Sequence, residues 1–337
     1  MRLRSLVNPS VDPARVAVPS PDAAAFHAAL PGYRPTPVHS LPAVAGELGL
    51  AAVSVKDESD RFGLPAFKVL GASWAVERAL RENSGAGTLV AASAGNHGRA
   101  VARVAAWRGL GCRVFLPARS SPARREAIAS EGADITVVAG DYEDAVDRAR
   151  AAGAMPGHLE IADVGDSGPA RWVIDGYQTL FAETAVHGRH DTILVPVGVG
   201  SLAAAAARFA AATGATLIGV EPATAACLTA ALAAGRPTEV PTPGTTMAGL
   251  DCAVVSSAAW PSLRDGVHGT ITVTDAEAAD AMRDLAGAGH AIGECGAAPL
   301  AALRALAGDP ECAALRRAID LGAGSRVLLI ATEGRTG

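Results

Sequence analysis

"TLVAASAGNHGRAVARVAAW", residues 88–107, passes from one apolar run, through a turn of small residues, into a second run of different period. Residues 88–93 read as a strand, and the apolar positions from Gly98 to Leu110 read as a helix. The same grammar recurs along the chain. Strands are expected at 51–56, 112–117, 134–140, 158–164, 191–198, 216–222, 269–275 and 326–332. Helices are expected at 67–82, 121–132, 141–153, about 170–187, 201–213, 223–235, from Asp275 onward, and near 296–307. Ser121 and Asp141 read as helix caps, with Pro122 in a first turn. Residues 1–45 are Pro-rich and expected to be irregular, apart from a short helix near "DAAAFHAAL" (22–30). Short apolar strands alternating with helices mean parallel sheets covered on both faces, an α/β architecture.

Composition narrows the function. The chain has 337 residues, enough for one large or two smaller domains. Half are hydrophobic but only 4% are aromatic, so Ala, Val and Leu must fill the core. A net charge of −5 without a basic stripe argues against nucleic acid. Cys112, Cys227, Cys252, Cys295 and Cys312 are scattered and odd in number, which suits reduced thiols in a cytoplasm. The start, "MRLRSLVNPSVDPARVAVPSP", is broken by Pro and charge before an apolar signal core develops. No membrane span is expected. The Ala-rich stretch "SLAAAAARFAAATG" (201–214) comes nearest, but Arg208 and its small residues suit a packed helix.

Ligands in such folds sit at the carboxyl ends of strands, and glycine-containing turns stand there at 93–98, 198–201 and 333–334. In "VPVGVGSLA" (195–203), Gly198, Gly200 and Ala203 fit G-x-G-x-x-A, and Glu221 lies 23 residues on. That pattern fits a dinucleotide. Its physics, free N–H groups at a helix N-terminus, says only that an anion such as phosphate can bind. A tight turn without ligand is the plainer alternative. Lys68 lies in "LPAFKVLGA" (64–72), a lone amine in apolar company after the charge-dense loop "KDESDRFG" (56–63). It either snorkels to water or is a desolvated amine of lowered pKa that forms a Schiff base. Asn96 follows Ser93, Ala94 and Gly95 and precedes His97 and Gly98. Asn at such a turn is ordinarily a cap, yet the small residues and free N–H groups also suit a carboxylate. His187 and His190 share a surface-like "HGRHD" stretch, and no metal site is expected.

One chemistry unites a Schiff-base lysine, a phosphate cradle and a carboxylate cradle: pyridoxal 5'-phosphate acting on an amino acid. A nicotinamide cofactor would use the glycine loop but leave Lys68 and the Asn96 turn without a task.

Seven stretches carry a family resemblance: "VKDESDRFGLPAFKVLGASWA" (55–75), "SAGNHGRAVA" (93–102), "WVIDGYQTL" (172–180), "VPVGVGSLAAA" (195–205), "TTMAGLDC" (245–252), "GECGAAPLAAL" (293–303) and "ATEG" (331–334). In this order, across nearly the whole chain, they resemble the fold-type II pyridoxal-phosphate enzymes (tryptophan synthase β-like), and most closely the diaminopropionate ammonia-lyases. The resemblance implies two domains with parallel sheets flanked by helices. A large domain would comprise 1–74 and 166–337, and a small one 75–165. It implies that Lys68 bonds the cofactor and that Asn96 meets the ring 3-oxygen. Gly198, Val199, Gly200 and Ser201 would hold the phosphate. Thr332, or Ala331 beside it, would face the pyridine nitrogen. Ser93, Ala94, Gly95 and His97 would receive the substrate carboxylate. A small amino acid is the implied partner, and a cytoplasmic homodimer the implied setting.

The implied reaction is α,β-elimination, first of 2,3-diaminopropionate to pyruvate and ammonia. Dehydration of L-threonine or L-serine and a β-replacement synthesis are the alternatives. The sequence also departs from the family. The lyases usually carry an acid where Ala94 stands, and "SAGNHG" is the dehydratase form. Asp163 is the best match to a second family acid, with Asp166 the other candidate. Arg335 replaces an acidic residue. Loss of the acid at position 94 predicts a preference for L-substrates.

Overall fold

The computed structural model describes residues 3–335. The ends of both outer spans, 1–2 and 336–337, lie outside the described residues. The alternating pattern resolves into two sheets. The larger has the order β1-β10-β9-β8-β11-β3-β2, with β1 Ser5–Val7, β2 Val38–Ser40, β3 Ala52–Asp57, β8 Thr192–Pro196, β9 Thr216–Pro222, β10 Gly269–Val273 and β11 Arg326–Ala331. The smaller is β6-β5-β4-β7, with β4 Thr88–Ala92, β5 Gly111–Pro117, β6 Asp134–Val138 and β7 His158–Glu160. All pairs are parallel except β1 with β10 and β2 with β3. The helices are α1 Asp22–Ala28, α2 Pro42–Leu48, α3 Lys68–Glu82, α4 Asn96–Arg108, α5 Pro122–Ala129, α6 Tyr142–Gly153, α7 Gly168–Gly176, α8 Gln178–Thr184, α9 Ser201–Thr213, α10 Cys227–Ala234, α11 Trp260–Gly266, α12 Asp275–Gly287, α13 Glu294–Gly308 and α14 Ala313–Ala318.

The N-terminal region is more ordered than its Pro content suggests. Both antiparallel edge strands come from it, through the pairings Ser5↔Ile271 and Val38↔Lys56. Strand β7 stops at Glu160, four residues short of the expected 158–164. The long helix expected at 170–187 is divided at Tyr177 into α7 and α8. A close helix crossing accompanies that division. A Cβ on Gly71 of α3 would lie 2.5 Å from the Tyr177 ring, and one on Gly176 would lie 2.5 Å from the Leu70 carbonyl oxygen. Glycine on both helices lets α3 and α7 touch backbone to backbone and brings Tyr177 beside the start of α3.

Small residues also explain how a core so poor in aromatics is filled. Ala203 to Ala207 of α9 are fully buried, and the helix packs against α7, α8, α11 and β8. No helix among the described residues is long and apolar enough to cross a membrane.

The charge-dense loop 56–63 turns half of its residues inward. Lys56, Glu58 and Arg61 are buried. Arg61 donates to Glu58 at 2.6 Å and to Glu183 of α8 at 2.7 Å, and Lys56 donates to Glu183 at 2.5 Å. Two cations face two carboxylates, so the charges satisfy one another inside the protein. Unpaired, each would carry a large desolvation cost. The cluster fixes the loop that leads to Lys68.

Candidate active site

The carboxyl ends of both sheets face one another, and the expected site residues lie in the turns there. Lys68 is the first residue of α3, Asn96 the first of α4 and Ser201 the first of α9. Thr332 directly follows β11, and Asp163 lies three residues after β7.

Lys68 Nζ donates to Asp163 Oδ2 at 3.0 Å and lies 5.4 Å and 5.9 Å from the ring centroids of Phe67 and Tyr177. The expectation of a lowered lysine pKa does not fit this environment. Burial pushes the amine down, but Tyr177 and the Asp163 carboxylate outweigh it, and the pKa stands above the ordinary lysine value. Burial likewise opposes ionisation of Asp163. His97 and Lys68 more than offset it and hold the carboxyl at about 2. Tyr177 is pushed up to about 12, chiefly by burial.

Asp163 rather than Asp166 reaches this centre. Asp166 sits at the surface, paired with Arg171. His97 does not turn toward the 93–95 segment. Its ring is buried, with Nε2 2.8 Å from the Ile161 carbonyl oxygen and Nδ1 3.7 Å from Asp163. Ser93, Ala94 and Gly95 remain partly accessible, and the Gly95 N–H is given to Ser93 Oγ at 3.2 Å. The Asn96 amide donates to Glu333 Oε2 at 2.9 Å.

The glycine turn is latched to the Asp163 segment. Ser201 Oγ donates to the Asp163 carbonyl at 3.1 Å. Ser256 donates its N–H to the Val199 carbonyl at 2.8 Å and its hydroxyl to the Gly165 carbonyl at 3.1 Å. Gly200 has φ of 93°, a left-handed conformation that a side chain would strain. A Cβ on Gly198 would lie 2.7 Å from the Gly249 carbonyl oxygen. The first N–H groups of α9 have no partner within the helix.

Glu221, placed as a dinucleotide pattern would require, has another task. Its carboxylate accepts from the N–H groups of Leu228 and Thr229 at 2.6 and 2.9 Å and from the Thr229 hydroxyl at 2.7 Å. Both oxygens are committed to the start of α10, which leaves none for a ribose. His187 and His190 lie near the end of α8 and join no cluster of ligand atoms among the described residues.

Three residues near the centre escape a motif-by-motif reading. Tyr177 and Glu333 sit inside the quoted stretches "WVIDGYQTL" and "ATEG" without an assigned task. Tyr142 of α6, whose hydroxyl meets the Ala92 carbonyl at 3.4 Å, lies outside any motif.

Residues 29–333 match the family model described as "Pyridoxal-phosphate dependent enzyme". The diaminopropionate ammonia-lyase of Salmonella typhimurium is 33% identical, over 93% of this chain and 88% of that protein. The biosynthetic L-threonine dehydratase of Escherichia coli is 28% identical, over 80% of this chain and 52% of that protein. Among solved structures, Escherichia coli diaminopropionate ammonia-lyase in complex with an aminoacrylate-PLP azomethine reaction intermediate superposes with a TM-score of 0.89. It is 29% identical, over 98% of this chain and 93% of that one. The chain belongs to the pyridoxal-phosphate-dependent enzyme family, has the fold-type II architecture, and takes pyridoxal phosphate as its cofactor.

Proposed function

We propose that this enzyme eliminates the β-substituent of a small amino acid, and that its substrate is 2,3-diaminopropionate, converted with one water to pyruvate and two ammonia. The observation that carries this reading is the Lys68–Asp163 pair, 3.0 Å apart, beside the glycine turn latched to it through Ser201. When bound, pyridoxal phosphate supplies an electron sink for the bond broken at the substrate α-carbon.

The residues present suit that group. Thr332 Oγ1 is buried with no hydrogen-bond partner among the described residues, as a hydroxyl awaiting a ring nitrogen would be. Gly198, Val199, Gly200 and Ser201 offer backbone N–H groups for a phosphate at the start of α9. Asn96 offers a side-chain amide, and its hydrogen bond to Glu333 orients it. Ser93, Ala94 and Gly95 form the partly accessible turn that suits a substrate carboxylate. Lys68 anchors the cofactor and, once its amine is free, takes the α-proton from one face. Asp163 is the second acid–base group and accepts a hydrogen bond from that amine. His97 positions Asp163 from behind. The diaminopropionate reading over the dehydratase reading rests on the greater identity and fuller coverage of the lyase relative. Ala94 in "SAGNHG" is the observation on the other side.

The remaining context follows the same reading: residues 1–74 with 166–337 as the large domain, 75–165 as the small one, and a homodimer in the cytoplasm. The four-stranded sheet between Thr88 and Glu160 supports the division into domains, and five free cysteines suit the cytoplasm. A panel of D- and L-amino acids, scored separately for 2-oxo acid and ammonia, tests the reaction. Two ammonia per pyruvate from diaminopropionate is expected. Faster release of one ammonia per 2-oxo acid from threonine or serine would transfer the assignment to the dehydratase reading.

A further inference from the structure

A second group of side chains meets away from Lys68. His39 lies on edge strand β2, Asp57 is the last residue of β3, and His290 follows the end of α12. One donor atom from each lies within 4.8 Å of the others. His39 Nε2 is 3.6 Å from Asp57 Oδ2, and the His39 and His290 ring centroids are 4.4 Å apart. The other Asp57 oxygen, Oδ1, accepts the Ser59 N–H at 2.9 Å, so the carboxylate is held with Oδ2 turned to the imidazoles. Among the described residues, neither imidazole forms a hydrogen bond that would hold it elsewhere.

We propose that His39, Asp57 and His290 form a binding site for a divalent transition-metal ion, with Zn²⁺ the best match. Two imidazole nitrogens and one carboxylate oxygen suit borderline metals and disfavour Mg²⁺ and Ca²⁺, which prefer all-oxygen shells. Zn–N and Zn–O bonds of about 2.0–2.2 Å in a tetrahedron put ligand atoms roughly 3.3–3.5 Å apart. The His39–Asp57 separation is close to that, and small side-chain rotations bring His290 in. The His39 side chain is 35% exposed, which leaves water access to a fourth position.

The three ligands come from three parts of the chain, of which β2 and β3 are already paired as strands. The metal would join the edge strand, the end of β3 and the connection from α12 to α13. That connection bridges Ile292 to Gly334, and Glu333 bridges Ala66. The clip therefore braces the backbone on which Thr332 and Lys68 are mounted, without a ligand from the cofactor site.

The test uses the cofactor-loaded enzyme after chelator treatment and removal of the chelator. Co²⁺ is titrated in and its visible d–d bands are followed, then Zn²⁺ and Mg²⁺ are added as competitors. One Co²⁺ per chain, displaced by Zn²⁺ and not by Mg²⁺, is expected, with a higher unfolding temperature in Zn²⁺. His39→Gln and His290→Gln should each weaken binding by about 100-fold or more while retaining wild-type cofactor absorbance, since even outer partners of metal ligands are worth roughly 10–100-fold. No saturable Co²⁺ binding, or binding that survives both substitutions, would overturn the site. So would displacement by Mg²⁺ as readily as by Zn²⁺.

Discussion

Asp163→Asn separates the two faces of the reaction. In the structure the carboxyl is held at about 2 against an ordinary 3.8. That is roughly two pH units, or ~2.5 kcal/mol at ~1.36 kcal/mol per unit. The work is done by His97 and Lys68 against the cost of burial. Asn keeps the shape and a hydrogen-bond acceptor but removes the charge. Two results follow. First, a free Lys68 amine loses the charge that holds its pKa up, so more of it is neutral at a given pH. The rising limb of the pH–rate profile for L-2,3-diaminopropionate should move to lower pH, by at most about two units. Second, if Asp163 is the base for the face that Lys68 does not serve, as proposed, that base is lost. A positioned base contributes roughly 10²–10⁴-fold, so any turnover of the D-enantiomer should fall by that factor, while L-turnover changes much less. Ala94 provides no second acid, so wild type should already prefer L, and Ala94→Asp should raise D-turnover. The assay is kcat/KM for both enantiomers across pH in the three proteins. Equal use of both enantiomers by wild type, unaffected by Asp163→Asn, would refute the assignment of the second base.

Two further outcomes test the surroundings. Gly200→Asp should abolish cofactor retention, whereas Gly200→Ala, which carries the same left-handed strain and the same contact with Leu263, should weaken it less. The difference reports the added carboxylate, its bulk together with a like-charge repulsion of ~1–3 kcal/mol against the phosphate, and equal cofactor affinity in the two folded variants would remove this turn from the site. Burial raises Glu221 from 4.5 to about 7. Its stabilising contribution is therefore complete below about pH 4.5 and lost as pH rises through 7, an effect of ~3 kcal/mol. Thermal unfolding from pH 5 to 8 should show wild type losing stability relative to Glu221→Gln, and a difference that stays constant with pH would contradict the buried, committed carboxyl.

Much of this was legible because it is local. Period and punctuation mark β3 to α3, β4 to α4 and β8 to α9 within windows of about twenty to thirty residues, and the turns between them hold the candidate site residues. What was not legible depends on partners far along the chain. Strands β1 and β2 are three residues each and gain meaning only through Ile271 and Lys56. The loop at 56–63 reads as charge-dense, and its partner Glu183 lies 127 residues beyond Lys56. The break between α7 and α8 goes with a crossing against Gly71, which no single window contains. The direction of the Lys68 pKa was not legible, because the lowering effect of apolar neighbours is visible in sequence and the opposing Asp163 is 95 residues away.

The central claim is that Lys68 bonds the cofactor. Borohydride reduction of the yellow enzyme, followed by proteolysis and mass spectrometry, reads this out directly. A reduced pyridoxyl adduct is expected on Lys68, in the peptide containing "AFKVLG", with Lys56 unmodified because it is sealed against Glu183. An adduct on Lys56, or no lysine adduct in a protein that binds pyridoxal phosphate, would contradict it.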